Sequence, residues 1–73
     1  MRFERDVVII GGCGHVGLPL GLAFADRGLQ VALFDINDQA VAQVTDGVMP
    51  FAEDGADDVL RRVTGTRLVA TTD

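Results

Sequence analysis

"VVIIGGCGHVG", residues 7–17, runs four apolar, β-branched residues straight into a cluster of glycines. Taken alone, it fits a phosphate cradle, the apolar core of a secretion signal or a flexible turn. The residues that follow it decide between these.

Val7 to Ile10 reads as a short strand buried on both faces, since the apolar run is unbroken. From about His15 to Arg27 the spacing becomes helical. Val16, Leu20 and Phe24 form one stripe, and Gly17, Gly21 and Ala25 form a row of small residues that lets a helix approach a sheet closely. Gly28 stands where a helix ends in a left-handed residue. Leu29 to Asp35, "LQVALFD", is a second strand ending in a carboxylate. Asn37 or Asp38 caps a second helix that carries Ala40, Val41 and Val44 and closes at Gly47. "VMPFAEDG" is a loop, because Pro50 and Gly55 punctuate it. A short helix from Ala56 to Val63, with Asp54 as its cap, leads through Gly65-Thr66 into "RLVATT", a third strand. Pro19 sits awkwardly, since its ring crowds the carbonyl of His15 and leaves it without a partner. Either the helix begins nearer Leu18 or its first turn is distorted.

The sum is βαβα(α)β. Strands alternating with helices imply a parallel sheet with right-handed crossovers, in spatial order 3-2-1. Residues 1–73 therefore read as the N-terminal part of a dinucleotide-binding domain, a partial α/β Rossmann fold.

Within that frame Gly12-x-Gly14-x-x-Gly17 gains meaning, because it follows a strand, opens a helix and precedes Asp35 by 18 residues. Gly12 is expected to make the tight turn. Gly14 would clear a path for a pyrophosphate, and Gly17 would let the helix pack on the sheet. Unpaired N–H groups of the first helical turn then hold the anion without a lysine. Asp35 would accept from the adenosine ribose and repel a 2′-phosphate. No arginine follows at Ile36 or Asn37, so NAD is expected over NADP. As an alternative, Asp35 is a turn residue beside Asn37. Two readings stay open for His15: a solvent-facing residue, or a cofactor contact through its N–H or ring. Cys13 reads as a small, part-buried thiol and not as a nucleophile. One His and one Cys in a single loop cannot complete a metal site.

Composition narrows the partners. The chain has 73 residues, 48% of them hydrophobic and 23% charged, with a net charge of -5. That balance suits a globular core and lacks the basic footprint of a nucleic-acid binder. A single cysteine fits a reducing cytoplasm. Val7 to Ala25 contains 19 residues without a formal charge and ends in Ala-Phe-Ala, which raises a membrane segment or a cleaved leader. The charge-balanced "MRFERD" before it, and its five glycines, argue against both.

"GxGHVGLPLGLAFADRG", "FDIN", "MPFAEDG" and "LVATTD" together resemble the amino terminus of the UDP-glucose/GDP-mannose dehydrogenase family, from Val7 to Asp73. "GGCGHVGLPLG" with "MPFxExGA" is most similar to the bacterial branch acting on UDP-N-acetylhexosamine or related nucleotide sugars. The resemblance implies an NAD-dependent nucleotide-sugar 6-dehydrogenase, which oxidises the C6 alcohol of a UDP- or GDP-sugar to a carboxylate in two steps. It carries Gly12, Gly14, His15, Val16 and Gly17 to the pyrophosphate and Asp35 to the ribose. His15 stands where the family commonly has Tyr, and Ala40 where a basic residue often follows the aspartate. The family's nucleophilic cysteine, its lysine and asparagine helpers, the sugar pocket and the dimer-forming helix are expected beyond Asp73. The resemblance thus implies no catalytic residue within residues 1–73, an inactive fragment alone, and a homo-oligomeric parent. A different β-hydroxyacid-type dehydrogenase and a non-catalytic nucleotide-binding fragment are the alternatives.

Overall fold

A computed structural model describes residues 5–73; Met1 to Glu4, most of the charge-balanced lead, lie outside the described residues. The elements are β1 (Val7–Ile10), α1 (Gly17–Asp26), β2 (Val31–Phe34), α2 (Asp38–Thr45), α3 (Ala56–Val63) and β3 (Leu68–Thr71). The strands form one parallel sheet with β2 in the middle, the order expected. Val7 pairs with Val31 and Val31 with Leu68, and the register holds along the sheet to Ile10, Phe34 and Thr71.

Both crossovers step the same way along the sheet, and right-handed connections therefore carry all three helices to one face. Burial agrees. Val31, Leu33 and Leu68 are fully buried beneath Leu18, Leu22 and Ala25 of α1, Val44 of α2, and Leu60 and Val63 of α3. Residues at alternate positions point the other way, and Val8 and Ile10 are 62% and 76% exposed. The expectation that β1 is buried on both faces is corrected: among the described residues the sheet has a single helical layer. The helical stripe is corrected as well. Val16 and Leu20 are exposed, and the buried side of α1 is Leu18, Gly21, Leu22 and Ala25. Gly21 explains that choice, because a Cβ there would sit 2.7 Å from Leu33 Cδ2 and 3.3 Å from Ile9 Cδ1. The helix can lie against β1 and β2 only on the side where that side chain is missing.

Helix ends follow local chemistry. Asn37 caps α2, its side chain accepting from the Ala40 N–H at 3.1 Å. Gly28, at φ +98°, ends α1 as expected. Asp54 does not cap α3: Gly55 occupies that position, and Ala56 donates to the carbonyl of Glu53. Pro19 is resolved by the start of α1 at Gly17. It stands third in the helix, inside the first turn, where N–H groups have no intrahelical partner and its missing donor costs nothing.

Leu33 touches both β1's neighbourhood and α1, and it has no exposed surface. Leu33→Ala is expected to lower unfolding stability by roughly 2–5 kcal/mol through transfer and cavity terms, measured by urea titration.

Candidate functional site

The site is built where β1 gives way to α1. Gly11, at φ +73°, makes the turn, a conformation that L side chains rarely adopt. It also anchors the loop: the N–H groups of Gly11 and Gly12 both donate to the carbonyl of Phe34, at 2.8 and 3.0 Å. Gly12 lies in the same turn without a positive φ. It is required by space, since a Cβ there would lie 2.6 Å from Leu33 Cβ and 2.8 Å from Leu33 Cα. Gly17 differs from expectation. Its Cβ would strike the Gly11 carbonyl oxygen at 2.6 Å, so it lets α1 close on the loop, while Gly21 lets α1 close on the sheet.

Gly14 is the informative case. A Cβ there meets only the Gly11 oxygen, at 3.4 Å, and its φ is not positive. Neither packing nor backbone geometry within the chain calls for glycine at this position. A ligand lying against the main chain would.

Around Gly14 the main chain presents open donors. Among the described residues, the N–H groups of His15, Val16 and Gly17 donate to no protein acceptor. Val16, the residue preceding α1, has no side-chain oxygen to cap the helix, whereas Asn37 caps α2. The first turn of α1 carries no acidic residue either. Three successive N–H groups at the positive end of a helix suit an anion.

Asp35 closes the mouth of the loop. It follows Phe34, the last residue of β2, and its Oδ2 accepts from the Cys13 N–H at 3.0 Å. Oδ1 accepts from the Asn37 N–H, also at 3.0 Å. A carboxylate offers about four acceptor positions, so each oxygen keeps one for a further donor. Two vacant acceptor positions side by side suit a vicinal diol. The turn-residue alternative is also met, since the Asn37 contact is local, but the reach to Cys13 spans 22 residues.

Cys13 is 4% exposed and belongs to the core. Burial, and secondarily the charge of Asp35, pushes its thiol from 9.0 up to about 11. A protonated, covered thiol is a poor nucleophile. His15 is exposed, and its ring lies on that of Phe51, with centroids 4.2 Å apart and planes 21° from parallel. The sequence places Phe51 in a loop, within the "MPFAEDG" stretch that carries the family resemblance, and gives it no part in the site. The available signal was an apolar Pro50-Phe51 pair ahead of an acidic stretch. A separate cleft of about 380 Å³ lies between α1 and the start of α3, and Asp26, Glu53 and Asp54 line it. Its carboxylates disfavour an anion. Among the described residues there is no cluster able to hold a metal ion, and no helix long and apolar enough to cross a membrane.

A parallel βαβ unit with a bare-backbone turn and a carboxylate at its mouth defines a dinucleotide-binding domain of Rossmann type. Residues 5–73 match the family described as UDP-glucose/GDP-mannose dehydrogenase family, NAD binding domain. The chain belongs to that family, and NAD is the cofactor of the domain. It is 40% identical over 62 residues to the UDP-glucose 6-dehydrogenase AglM of Haloferax volcanii, covering 85% of this chain and 14% of that protein. It is 38% identical over 61 residues to a UDP-N-acetyl-D-mannosamine dehydrogenase of Yersinia pestis, covering 84% and 14% respectively. A GDP-mannose dehydrogenase of Pseudomonas aeruginosa, solved as a ternary complex, superposes with a TM-score of 0.86 at 29% identity, over 92% of this chain and 15% of that one. The chain thus spans about one seventh of the length of these relatives.

For Cys13 the sign of the pH effect follows from the raised value. The folded state holds the thiol proton more tightly than the unfolded state, so stability is intact below about 9 and declines as pH climbs toward about 11. Alkylation of Cys13 by iodoacetamide is expected to stay slow at pH 8–9 in the folded protein and to become fast in urea, as followed by mass spectrometry.

Proposed function

We propose that this chain supplies the adenosine and diphosphate half of the NAD site in a nucleotide-sugar 6-dehydrogenase. In that enzyme the C6 alcohol of a UDP- or GDP-sugar is oxidised to a carboxylate in two NAD-dependent steps. NAD, when bound, accepts hydride; the residues of this chain bind and orient it. The N–H groups of His15, Val16 and Gly17 take the diphosphate. Gly14 leaves room for the diphosphate to reach them, and Gly12 and Gly17 keep the loop against β2 and α1. Asp35 takes the two ribose hydroxyls.

The observation that carries this reading is the Asp35 carboxylate held at the mouth of the glycine loop by the Cys13 N–H. A diphosphate on the loop then lies within one ribose of a fixed pair of acceptors. The same charge opposes the 2′-phosphate of NADP, and Ile36 and Asn37 offer no cation to receive it. The relatives' names support a nucleotide sugar as the substrate of the whole protein. Its pocket and the reacting groups are assigned to other parts of that protein, and a homo-oligomer accords with the family. Cys13, buried and without a disulfide partner among the described residues, accords with the cytoplasm.

Calorimetric titration of the protein as the cell makes it tests the reading. NAD is expected to bind more tightly than NADP. Asp35→Asn keeps an acceptor but removes the charge, and should weaken NAD by roughly tenfold while narrowing the preference over NADP. Equal affinity for both cofactors in the unaltered protein would contradict the role of Asp35.

A further inference from the structure

Four of the seven residues from Gly11 to Gly17 are glycines, so only Cys13, His15 and Val16 can hold this loop by their side chains. Cys13 is buried in the core beneath the loop. Val16 is 80% exposed. The remaining anchor is His15, whose ring lies nearly parallel on Phe51 at 4.2 Å. The stretch of loop carrying the three open N–H donors is therefore fixed at one end by Cys13 and at the other by the start of α1, with the stack between them.

Phe51 is well placed to act as that support. It lies in the segment between α2 and α3, half-buried and packed against the core, two residues after the buried Met49. The segment is pinned before it by Val48 donating to the Gln43 carbonyl and after it by Ala56 donating to the Glu53 carbonyl. Its ring is thus backed by the core, while the loop it touches is glycine-rich and has few side chains of its own to hold it. Ring pairs of this geometry contribute beyond their buried area.

We propose that Phe51 is a positioning residue for the cofactor's diphosphate: its ring clamps His15 and so holds the N–H groups of His15, Val16 and Gly17 in the arrangement that receives the anion. This rests on the diphosphate site proposed above. The segment between α2 and α3 then belongs to the cofactor clasp, and the gain arises from preorganisation, with no contact between Phe51 and the ligand.

The test is a double-mutant cycle on the protein as the cell makes it, with NAD and adenosine as ligands. Phe51→Leu keeps apolar bulk and removes the stacking face. NAD affinity should fall about threefold to tenfold, the loss implied by one aromatic pair. Adenosine, which lacks the diphosphate and keeps the ribose contact with Asp35, should bind unchanged. Phe51→Tyr should restore NAD affinity. His15→Ala breaks the stack from the exposed side and leaves the core intact, so it serves even if a Phe51 variant does not fold. It should weaken NAD by a similar factor, and adding Phe51→Leu to it should cost nothing more. The proposal is overturned if Phe51→Leu or His15→Ala leaves NAD affinity unchanged. Equal weakening of NAD and adenosine, or the full Phe51→Leu loss recurring beside His15→Ala, would overturn it too. Failure of the unaltered protein to bind NAD would instead remove the diphosphate site itself, and this inference with it.

Discussion

The main chain at Gly12 passes so close to Leu33 that no side chain fits between them. That approach determines the geometry of the cofactor end of the molecule. It lets Gly11 and Gly12 share the Phe34 carbonyl, which ties the turn after β1 to the end of β2. Two residues beyond Leu33, Asp35 then reaches the Cys13 N–H across the same gap. The open N–H groups of the loop and the Asp35 carboxylate are thereby set by contacts between neighbouring strands, with no side-chain cation among the described residues taking part. On the other side of the loop, Gly17 and Gly21 bring α1 against the turn and the sheet in the same manner. Small residues thus serve distinct purposes along one stretch: one gives conformational freedom, three give closeness, and Gly14 leaves space that the protein itself does not use.

The other side of the sheet tells a different story. Val8, Ile10 and Val69 stand exposed, and Ala32 and Phe34 beside them are half-covered. Parallel sheets are ordinarily covered on both faces, and doubly wound folds achieve this with a second βαβ set. The relatives carry the matching segment within chains about seven times as long.

The architecture was legible in the sequence because its signals are local. Asn37 as a cap, Gly28 as a stop, the α3 span and the strand order follow from punctuation and from crossover handedness. The two faces of β1 were misjudged because an unbroken β-branched run describes the strand of a fully wrapped sheet and is blind to which neighbours cover it. Val16 and Leu20 misled for a similar reason, since apolar spacing names a stripe without saying which side the partner lies on. At the site, the identity of the glycines was legible but their division of labour was not. That Gly12 answers to Leu33 and Gly17 to the Gly11 carbonyl depends on contacts across the fold. Phe51 escaped because its partner His15 is 36 positions away in a loop that has no periodicity to read.

In the proposed site the open N–H groups of His15, Val16 and Gly17 hold the diphosphate while Asp35 receives the ribose. Amide chemical-shift mapping during an NAD titration addresses it most directly. The largest downfield shifts are expected at His15, Val16 and Gly17, with accompanying changes at Cys13 and Asn37, whose N–H groups share the Asp35 carboxylate. Saturable shifts confined to the cleft between α1 and α3, with the glycine-loop amides unmoved, would contradict it.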